Sequence, residues 1–311
     1  MILKKTELRE VRDFGQKFNA VFTFVQNNFK SFIKVIGLTV GPLALLGGLF
    51  YGLFYSEIFG GIFSGSTFGS SGEIPGFMSV SPDTISWAAE MFMAYLFLGM
   101  ASLWMTIAVY AFMAEYDSGN ENITIEAVWK RGKGKIMPVI GAGMLTILVM
   151  VIFVVIIFIL PGNESGGWIA LKALLLCVVI FYIAITLSLL VPNMVIENAG
   201  VFESIERCFI LIHGKWWSTF GLLMVMGFVS NIATMIFAIP FYVGMIVKMV
   251  LQTNVGDILT VAGSCILFLG SFLMMTLPAL AVGFQYFNLV ERKEGIGLLK
   301  KIDLLGKQGI E

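Results

Sequence analysis

Long apolar runs alternate with short polar segments along the whole chain. Six of these runs reach the length of about 20 helical residues that crosses a hydrocarbon core about 30 Å thick. The runs span residues 35–59, 86–113, 136–160, 168–192, 216–247 and 258–289. The third run holds no ionisable side chain from Ile136 to Leu160. The pattern therefore predicts an all-α fold: a polytopic membrane helical bundle with six transmembrane helices.

Prolines and glycines inside the runs predict features of helix shape and packing. Pro240 lies in the fifth run and Pro278 in the sixth, and both runs are longer than the bilayer requires. Because proline removes a hydrogen bond inside a helix, it favours a kink. The first run contains the GxxxG spacings Gly37–Gly41 and Gly48–Gly52, which are compatible with close helix contact.

The run boundaries divide the chain into three regions. These are a cytoplasmic amphipathic N-terminal arm (1–34), a six-span membrane domain (35–289) and a basic amphipathic cytoplasmic tail (290–311). The tail has an apolar face formed by Leu298, Leu299, Ile302 and Leu305. Its lysines are suited to anionic headgroups, so we expect the tail to bind the inner leaflet, with a solvated, disordered tail as the alternative.

Three stretches share one layout: a short amphipathic segment, a break with Gly or Asn beside Lys, and a membrane hairpin. They are FNAVFTFVQNNFKSFIKVIGL (18–38), ITIEAVWKRGKGKIMPVIGAG (123–143) and VFESIERCFILIHGKWWSTFGLL (201–223). We interpret them as a threefold repeat, in which each unit is an interfacial helix followed by two spans.

The third stretch has the pattern of an interfacial helix. Its apolar face is formed by Phe202, Ile205, Phe209 and Ile212, and its polar face by Glu203, Glu206 and Arg207. A strongly amphipathic helix of this kind is typical of a segment that lies in the membrane plane. Two tryptophans follow, Trp216 and Trp217, at the position of an aromatic belt.

The only histidine, His213, lies at the end of this predicted helix. An imidazole near a helix C-terminus interacts favourably with the helix dipole, which is the structural interpretation. The alternative is that Glu203, Glu206 and His213 share a face and offer ligands to a metal ion. No metal-binding signature supports that alternative, and the sequence predicts no metal and no cofactor.

Basic residues are almost confined to one set of alternating segments. The N-terminal arm, the second loop, the fourth loop and the tail hold 18 of the 20 Lys and Arg residues. The other segments contain only Lys248, and Lys172 lies just inside the fourth run. Because short loops rich in Lys and Arg stay in the cytoplasm, both termini are expected to be cytoplasmic in a multi-pass protein of the bacterial inner (plasma) membrane. The Gly/Ser-rich segment 60–86 then forms a flexible outer loop.

Composition excludes several classes of protein. The chain is 58% apolar and 13% charged, with a mean hydropathy of +0.91, which lies outside the range of soluble domains. The net charge is zero, so no basic field favours nucleic acid as a partner. The three cysteines have no ligand spacing. KRGKGK at 130–135 lacks the phosphate-loop pattern, so attraction to lipid headgroups explains it more simply.

Polar residues at membrane depth are candidates for function, because a bilayer makes them costly. Glu90 and Lys172 lie near the outer ends of the second and fourth runs, where snorkelling or mutual pairing accounts for them. Ser230 and Asn231 form the deepest polar cluster. They either line a polar pathway or form hydrogen bonds between helices, which is the commoner use.

Two segments carry a resemblance to a known family. VPNMVIENAG and the third repeat stretch combine a proline-containing end of a span, an acidic helix start, a helix ending at glycine and a following span. Together with the ending LPALAVGFQYFNLVERKEGIGLL, they resemble the membrane domain associated with bacterial glycerophosphodiester phosphodiesterases and related uncharacterised six-span families. The resemblance covers mostly residues 186–300 and implies a fold and a membrane location. In those enzymes a separate soluble barrel carries the catalytic residues, so no active site is implied here.

Two functions fit these observations. The leading hypothesis is a non-enzymatic protein that organises lipid or partner proteins at the inner leaflet, with membrane lipid and other membrane proteins as its partners. The rival is a transporter or lipid-translocating protein, favoured by Glu90, Ser230, Asn231 and the proline-containing helices. An intramembrane enzyme is a weaker third, since the sequence lacks a paired Asp, an HExxH or a Ser/Lys dyad at membrane depth.

Overall fold

The computed structural model describes residues 6–63, 82–120, 122–159, 166–251 and 253–299. Within these ranges the chain is helical and contains no strand. The helices are α1 (Phe14–Phe63), α2 (Pro82–Asp117), α3 (Ile125–Gly132), α4 (Ile136–Ile159), α5 (Gly166–Leu187), α6 (Leu190–Ile196), α7 (Val201–Ile212), α8 (Trp216–Leu251) and α9 (Asn254–Glu294). A 3-10 turn, Lys133–Lys135, joins α3 to α4.

Six helical segments are long and apolar enough to span a membrane, and this confirms the predicted fold class. They are Phe14–Ile58, Ile85–Asp117, Ile125–Ile157, Gly166–Ile196, Trp216–Leu251 and Asn254–Glu294. Each overlaps one predicted run. The protein is therefore a multi-pass integral membrane protein.

The start of the chain differs from the predicted separate arm. Helix α1 begins at Phe14 and continues without a break through residues 18–38. Asp13 Oδ1 accepts a hydrogen bond from the Gln16 backbone N–H (2.9 Å), and Gln16 Oε1 accepts one from Asp13 N–H (3.1 Å). This capping box satisfies the first free N–H groups and starts the helix early. The expected break is absent: Asn28 lies within α1, and its side-chain amide donates a hydrogen bond to the Phe24 carbonyl of the same helix (2.9 Å).

The other two repeat stretches do contain a short helix before the span. Helix α3 is capped by Thr124, whose side chain accepts a hydrogen bond from the backbone N–H of Ala127. Helix α7 ends before Gly214, which has a φ of +73° and so favours glycine at the turn into α8. Because the first stretch is one continuous helix, the threefold repeat stays a prediction.

The chain divides into two compact units. The first combines the residues up to Phe29, Ile107–Met226 and the chain from Ala279 onward, and the second combines Lys30–Thr106 with Gly227–Pro278. The aromatic core of the first unit surrounds Phe24, which is fully buried. Its ring meets the edges or faces of Phe112, Tyr116 and Phe284 at centroid distances of 6.1, 5.0 and 5.7 Å. These contacts join α1, α2 and α9 within that unit.

In the second unit, small residues of α1 allow close contact with α9. A Cβ atom added at Gly48 would lie 2.8 Å from the Cα of Cys265, and one at Gly52 would lie 2.7 Å from the Cα of Val261. The Ser264 hydroxyl donates a hydrogen bond to the Gly48 carbonyl (2.6 Å). Gly48 and Gly52 therefore lie at a close helix contact, with which their spacing was compatible. In the other pair, a Cβ atom added at Gly37 would meet nothing within 4 Å, and one at Gly41 would lie at an ordinary 3.6 Å from Leu269.

Two predicted segments lie partly beyond the described residues. Residues 64–81 of the predicted outer loop lie outside the described residues. At the start of the tail, Leu298 and Leu299 are helical and exposed. Ile302 and Leu305 lie outside the described residues.

Candidate anion-binding site

Ser230 and Asn231, the predicted polar pair at depth, have different surroundings in α8. Ser230 is buried, and its hydroxyl donates a hydrogen bond to the Met274 carbonyl of α9 (2.6 Å). Asn231 is exposed, and its amide donates to the Gly227 carbonyl of its own helix (2.9 Å). The geometry at Ser230 is that of a bond between helices, and Asn231 does not join it.

Glu90 and Lys172, the predicted ionisable pair, belong to different compact units. Both side chains are partly buried. The Glu90 Oε2 atom is itself buried and accepts no hydrogen bond from the residues that the structure describes. Mutual pairing and a polar pathway stay predictions.

Helix α7 packs on the protein through one face and leaves most of its predicted membrane-facing apolar face outside the protein. Ser204, Cys208, Leu211 and Ile212 are the residues that it buries in the protein. Of the apolar face that was predicted to meet the membrane, only Ile212 is among them, and Phe202 is 78% exposed. Burial also raises the pKa of the Cys208 thiol to about 12, so this cysteine is unreactive at neutral pH.

Arg207 was expected on a solvated face, but it holds three helices together. Its guanidinium forms ion pairs with Glu197 and Glu294, each at 2.7 Å. The Tyr286 hydroxyl donates a further hydrogen bond to the Glu197 carboxylate. Arg207 therefore links α7 to the end of α6 and to α9.

We expect an Arg207→Gln variant to be less stable by about 1–2 kcal/mol, since both ion pairs are partly buried. Thermal unfolding in a mild detergent measures the loss. A Glu206→Gln variant is the matched control, because Glu206 is exposed on the same helix. Equal stability of the two variants would show that the Arg207 ion pairs contribute nothing.

The predicted metal ligands on α7 do not converge. The Glu203 carboxylate accepts a hydrogen bond from the Gly200 backbone N–H (3.3 Å) and so caps the helix. Glu206 and His213 are exposed. The described part of the chain contains no group of three His, Cys, Asp or Glu residues placed to hold a metal ion.

Trp216 and Trp217 belong to an aromatic cluster at the start of α8. The Trp216 ring stacks on Tyr182 and on Phe220, with interplanar angles of 14° and 20°. Its indole N–H donates to the Tyr182 carbonyl (3.3 Å). Trp217 is 77% exposed. Such a cluster, with stacked aromatic rings and the exposed indole of Trp217, is typical of the membrane interface.

A polar pocket that the sequence did not predict lies in the first unit. We call it the basic pocket; it is lined by Arg12, Asp13, Phe14, Lys17, Lys215, Ser218, Gln285, Asn288 and Arg292 and has a volume of about 210 Å³. Three elements build it: the start of α1, the start of α8 and the last turns of α9.

Lys17 is the central residue of the basic pocket. It is only 3% exposed, and its ammonium donates hydrogen bonds to Gln285 Oε1 (2.7 Å) and to the Ser218 hydroxyl (3.1 Å). Gln285 is fixed in turn, because its amide donates to the Thr219 hydroxyl (2.8 Å). These bonds hold Lys17 in one position within the pocket.

The opposite wall is fixed by amide and guanidinium groups. Asn288 donates to the Arg12 carbonyl (2.9 Å), and Arg292 donates to Asn288 Oδ1 (3.0 Å). The Arg12 guanidinium is paired with Glu10 (2.6 Å) and lies over the Phe284 ring. Arg12 is therefore neutralised locally, while Arg292 keeps its charge available at the rim.

Positive charge exceeds negative charge in the basic pocket. Arg292 and Lys215 act on Lys17 as like charges, and Asp13 alone acts on it as an opposite charge. Within the described ranges, no carboxylate lies in ion-pair distance of Lys17. A buried ammonium without a carboxylate is costly, so the site favours an anion.

The helix geometry strengthens this preference. Helix α1 begins at Phe14 and α8 at Trp216, so residues at both N-termini line the basic pocket. A helix N-terminus carries partial positive charge and free N–H groups. Because Asp13 caps the start of α1, the α8 terminus is the one that contributes here, and together with three cations and a hydroxyl it makes a site for an oxyanion. Comparisons with protein-family models, curated proteins and solved structures found no match for this chain.

The resemblance drawn from residues 186–300 therefore stays a prediction.

The basic pocket was missed because its lining residues are far apart in sequence. One signal was present: Gln285, Asn288 and Arg292 recur at i, i+3 and i+7 in the last turns of α9. Polar residues at that spacing share a helix face.

Proposed function

We propose that this membrane protein binds the phosphate of anionic lipid headgroups in the basic pocket and organises such lipid at the inner leaflet. The carrying observation is Lys17, a buried ammonium that pairs with no carboxylate among the described residues. The expected cytoplasmic side of the basic segments supports the leaflet, because anionic lipid there attracts Lys and Arg.

Phosphate chemistry suits the donors of the basic pocket. An oxyanion with several acceptor oxygens can accept hydrogen bonds from Lys17, Lys215 and Arg292 together. The Ser218 hydroxyl accepts a hydrogen bond from Lys17 and can donate its own proton to the same oxyanion. A halide lacks such directed acceptors, and a zwitterionic headgroup brings a cation that the three basic side chains repel.

The lining of the basic pocket favours binding over catalysis. Its one carboxylate, Asp13, is used to cap α1. Ser218 accepts a hydrogen bond from Lys17 (3.1 Å), and in its charged ammonium form Lys17 cannot act as a general base toward that hydroxyl. We therefore propose a non-enzymatic protein.

The rim residues provide the first test of this function. Lys215→Gln and Arg292→Gln variants are each expected to bind anionic phospholipid about fivefold more weakly, since one basic residue near a membrane contributes about 1 kcal/mol. The measurement is the fraction of anionic over zwitterionic phospholipid retained by the full-length protein in native mass spectrometry. Both residues are exposed, so the variants are expected to fold.

Lys30→Gln is the matched control, because Lys30 is an exposed lysine of α1 outside the basic pocket. A separate arm adds inorganic phosphate in excess. If inorganic phosphate displaces the retained lipid, and the variants retain the same fraction of anionic over zwitterionic phospholipid as the native protein, the site is assigned to free phosphate. Equal retention of anionic and zwitterionic lipid by the native protein would overturn the proposal.

A further inference from the structure

A second cavity in the first unit is apolar throughout. It has a volume of about 780 Å³ and lies between α4, α5 and α7, which pack on one another. The volume falls in the range of about 300–1,000 Å³ that small-molecule sites occupy. Of its lining side chains only Thr146 and Tyr182 carry polar atoms, and the Thr146 hydroxyl bonds to the Ala142 carbonyl of its own helix (2.8 Å). Apart from Tyr182, no side chain of the lining therefore offers a free donor to a polar ligand.

Hydrocarbon is the medium around this cavity. Helices α4 and α5 are apolar and mostly unburied within the protein. We call this cavity the groove. Its residues Thr146, Val149 and Phe153 lie in the middle of α4. In a bilayer, a groove at this level meets lipid tails and excludes water.

The groove also reaches the membrane interface. Phe202, Ile205 and Phe209 of α7 form one end, and the polar residues Glu203 and Glu206 lie exposed on the same helix. The outward-facing rings of α7, which do not pack into the protein core, line the groove instead. The cavity thus runs from an amphipathic helix into the apolar middle of a span, which is the path that a lipid acyl chain takes.

We infer that the groove between α4, α5 and α7 binds an acyl chain of a membrane lipid. The chain lies along α4 and α5, with its headgroup end beside α7 and the aromatic cluster at Tyr182 and Trp216. This inference does not depend on the basic pocket, because the groove shares none of its lining residues.

Photo-crosslinking tests the inference on the full-length protein in nanodiscs. The probe is a phosphatidylcholine whose acyl chain carries a diazirine, and crosslinked peptides are identified by mass spectrometry. Val149→Trp and Val179→Trp place a bulky ring in the groove, and we expect each to reduce labelling of groove peptides roughly tenfold. Leu148→Trp and Leu175→Trp are the matched controls, because these exposed residues lie on the same helices outside the groove.

Loss of groove labelling in the two filled variants, with labelling kept in both controls, supports the inference. Equal labelling of the groove and of the outward faces at Leu148 and Leu175 would show ordinary boundary lipid only and overturn it. A Lys17→Met variant is expected to keep full groove labelling, so failure at the basic pocket and failure at the groove are distinguishable.

Discussion

A Gly263→Val variant is expected to lose most of its folded protein in detergent. A Cβ atom at Gly263 would lie 2.4 Å from the backbone N of Phe241 and 2.5 Å from its Cα. These are backbone atoms of α8, which cannot rotate aside as a flexible side chain can. Overpacking a close contact costs about 1–3 kcal/mol and occasionally more, and contact with a helix backbone lies at the upper end of that range.

A second glycine, in α8, approaches the backbone of α9 equally closely. A Cβ atom at Gly244 of α8 would lie 2.4 Å from the Thr260 backbone N of α9. We therefore expect Gly244→Val to behave like Gly263→Val in size-exclusion chromatography and thermal unfolding. Gly227→Val is the control for the effect of valine in a helix, since nothing lies within 4 Å of a Cβ atom there. Three variants of equal stability would contradict the described packing of α8 on α9.

A Lys17→Met variant is expected to lose the stabilisation that anionic lipid gives the native protein. A charge-assisted hydrogen bond contributes about 1.5–3 kcal/mol, which corresponds to roughly a 10- to 100-fold loss of affinity. With anionic lipid at about 100 times its dissociation constant, the native protein gains about 2.7 kcal/mol. The variant is expected to gain only about 0.4–1.4 kcal/mol at the same lipid concentration. Thermal unfolding in nanodiscs, with and without anionic lipid, measures both gains.

Zwitterionic nanodiscs separate binding from folding in this experiment. Methionine removes a buried charge, which raises the free energy of unfolding of the variant. It also leaves Gln285 Oε1 without its donor, which lowers that free energy. Because the two effects oppose each other, we expect the stability in zwitterionic lipid to change by less than about 2 kcal/mol. Lys30→Gln is expected to keep the full response to anionic lipid. An equal response of the native protein and Lys17→Met would show that Lys17 does not meet the lipid.

The spans were predictable because each depends only on its own stretch of sequence. The third run was placed at 136–160, and α4 covers Ile136–Ile159. An apolar run of that length must be helical in hydrocarbon, whatever its neighbours do. The N-terminal arm was harder, because Asp13 and Gln16 form a capping box that starts α1 early. The Asp-x-x-Gln spacing was present in the sequence as a signal for it.

The site residues were less predictable because their surroundings are tertiary. In the sequence, Arg207 is one charged residue on a polar helix face. Nothing there indicates that the Glu294 Oε1 atom lies 2.7 Å from the Arg207 Nη2 atom. Lys17 shows as one of many basic residues in the arm, although it is buried against Gln285 of α9. Burial of a charged residue depends on partners hundreds of positions away, which periodicity within one helix does not report.

The basic pocket is proposed to hold a lipid phosphate. The most direct measurement is an experimental structure of the full-length protein in nanodiscs that contain both anionic and zwitterionic phospholipid. We expect density for a phosphate about 3 Å from Lys17 Nζ, with Arg292 and Lys215 turned toward it and an acyl tail leading to the bilayer. A Lys17 ammonium that is paired with a carboxylate of the protein itself, with no phosphate in the pocket, would contradict phosphate binding there.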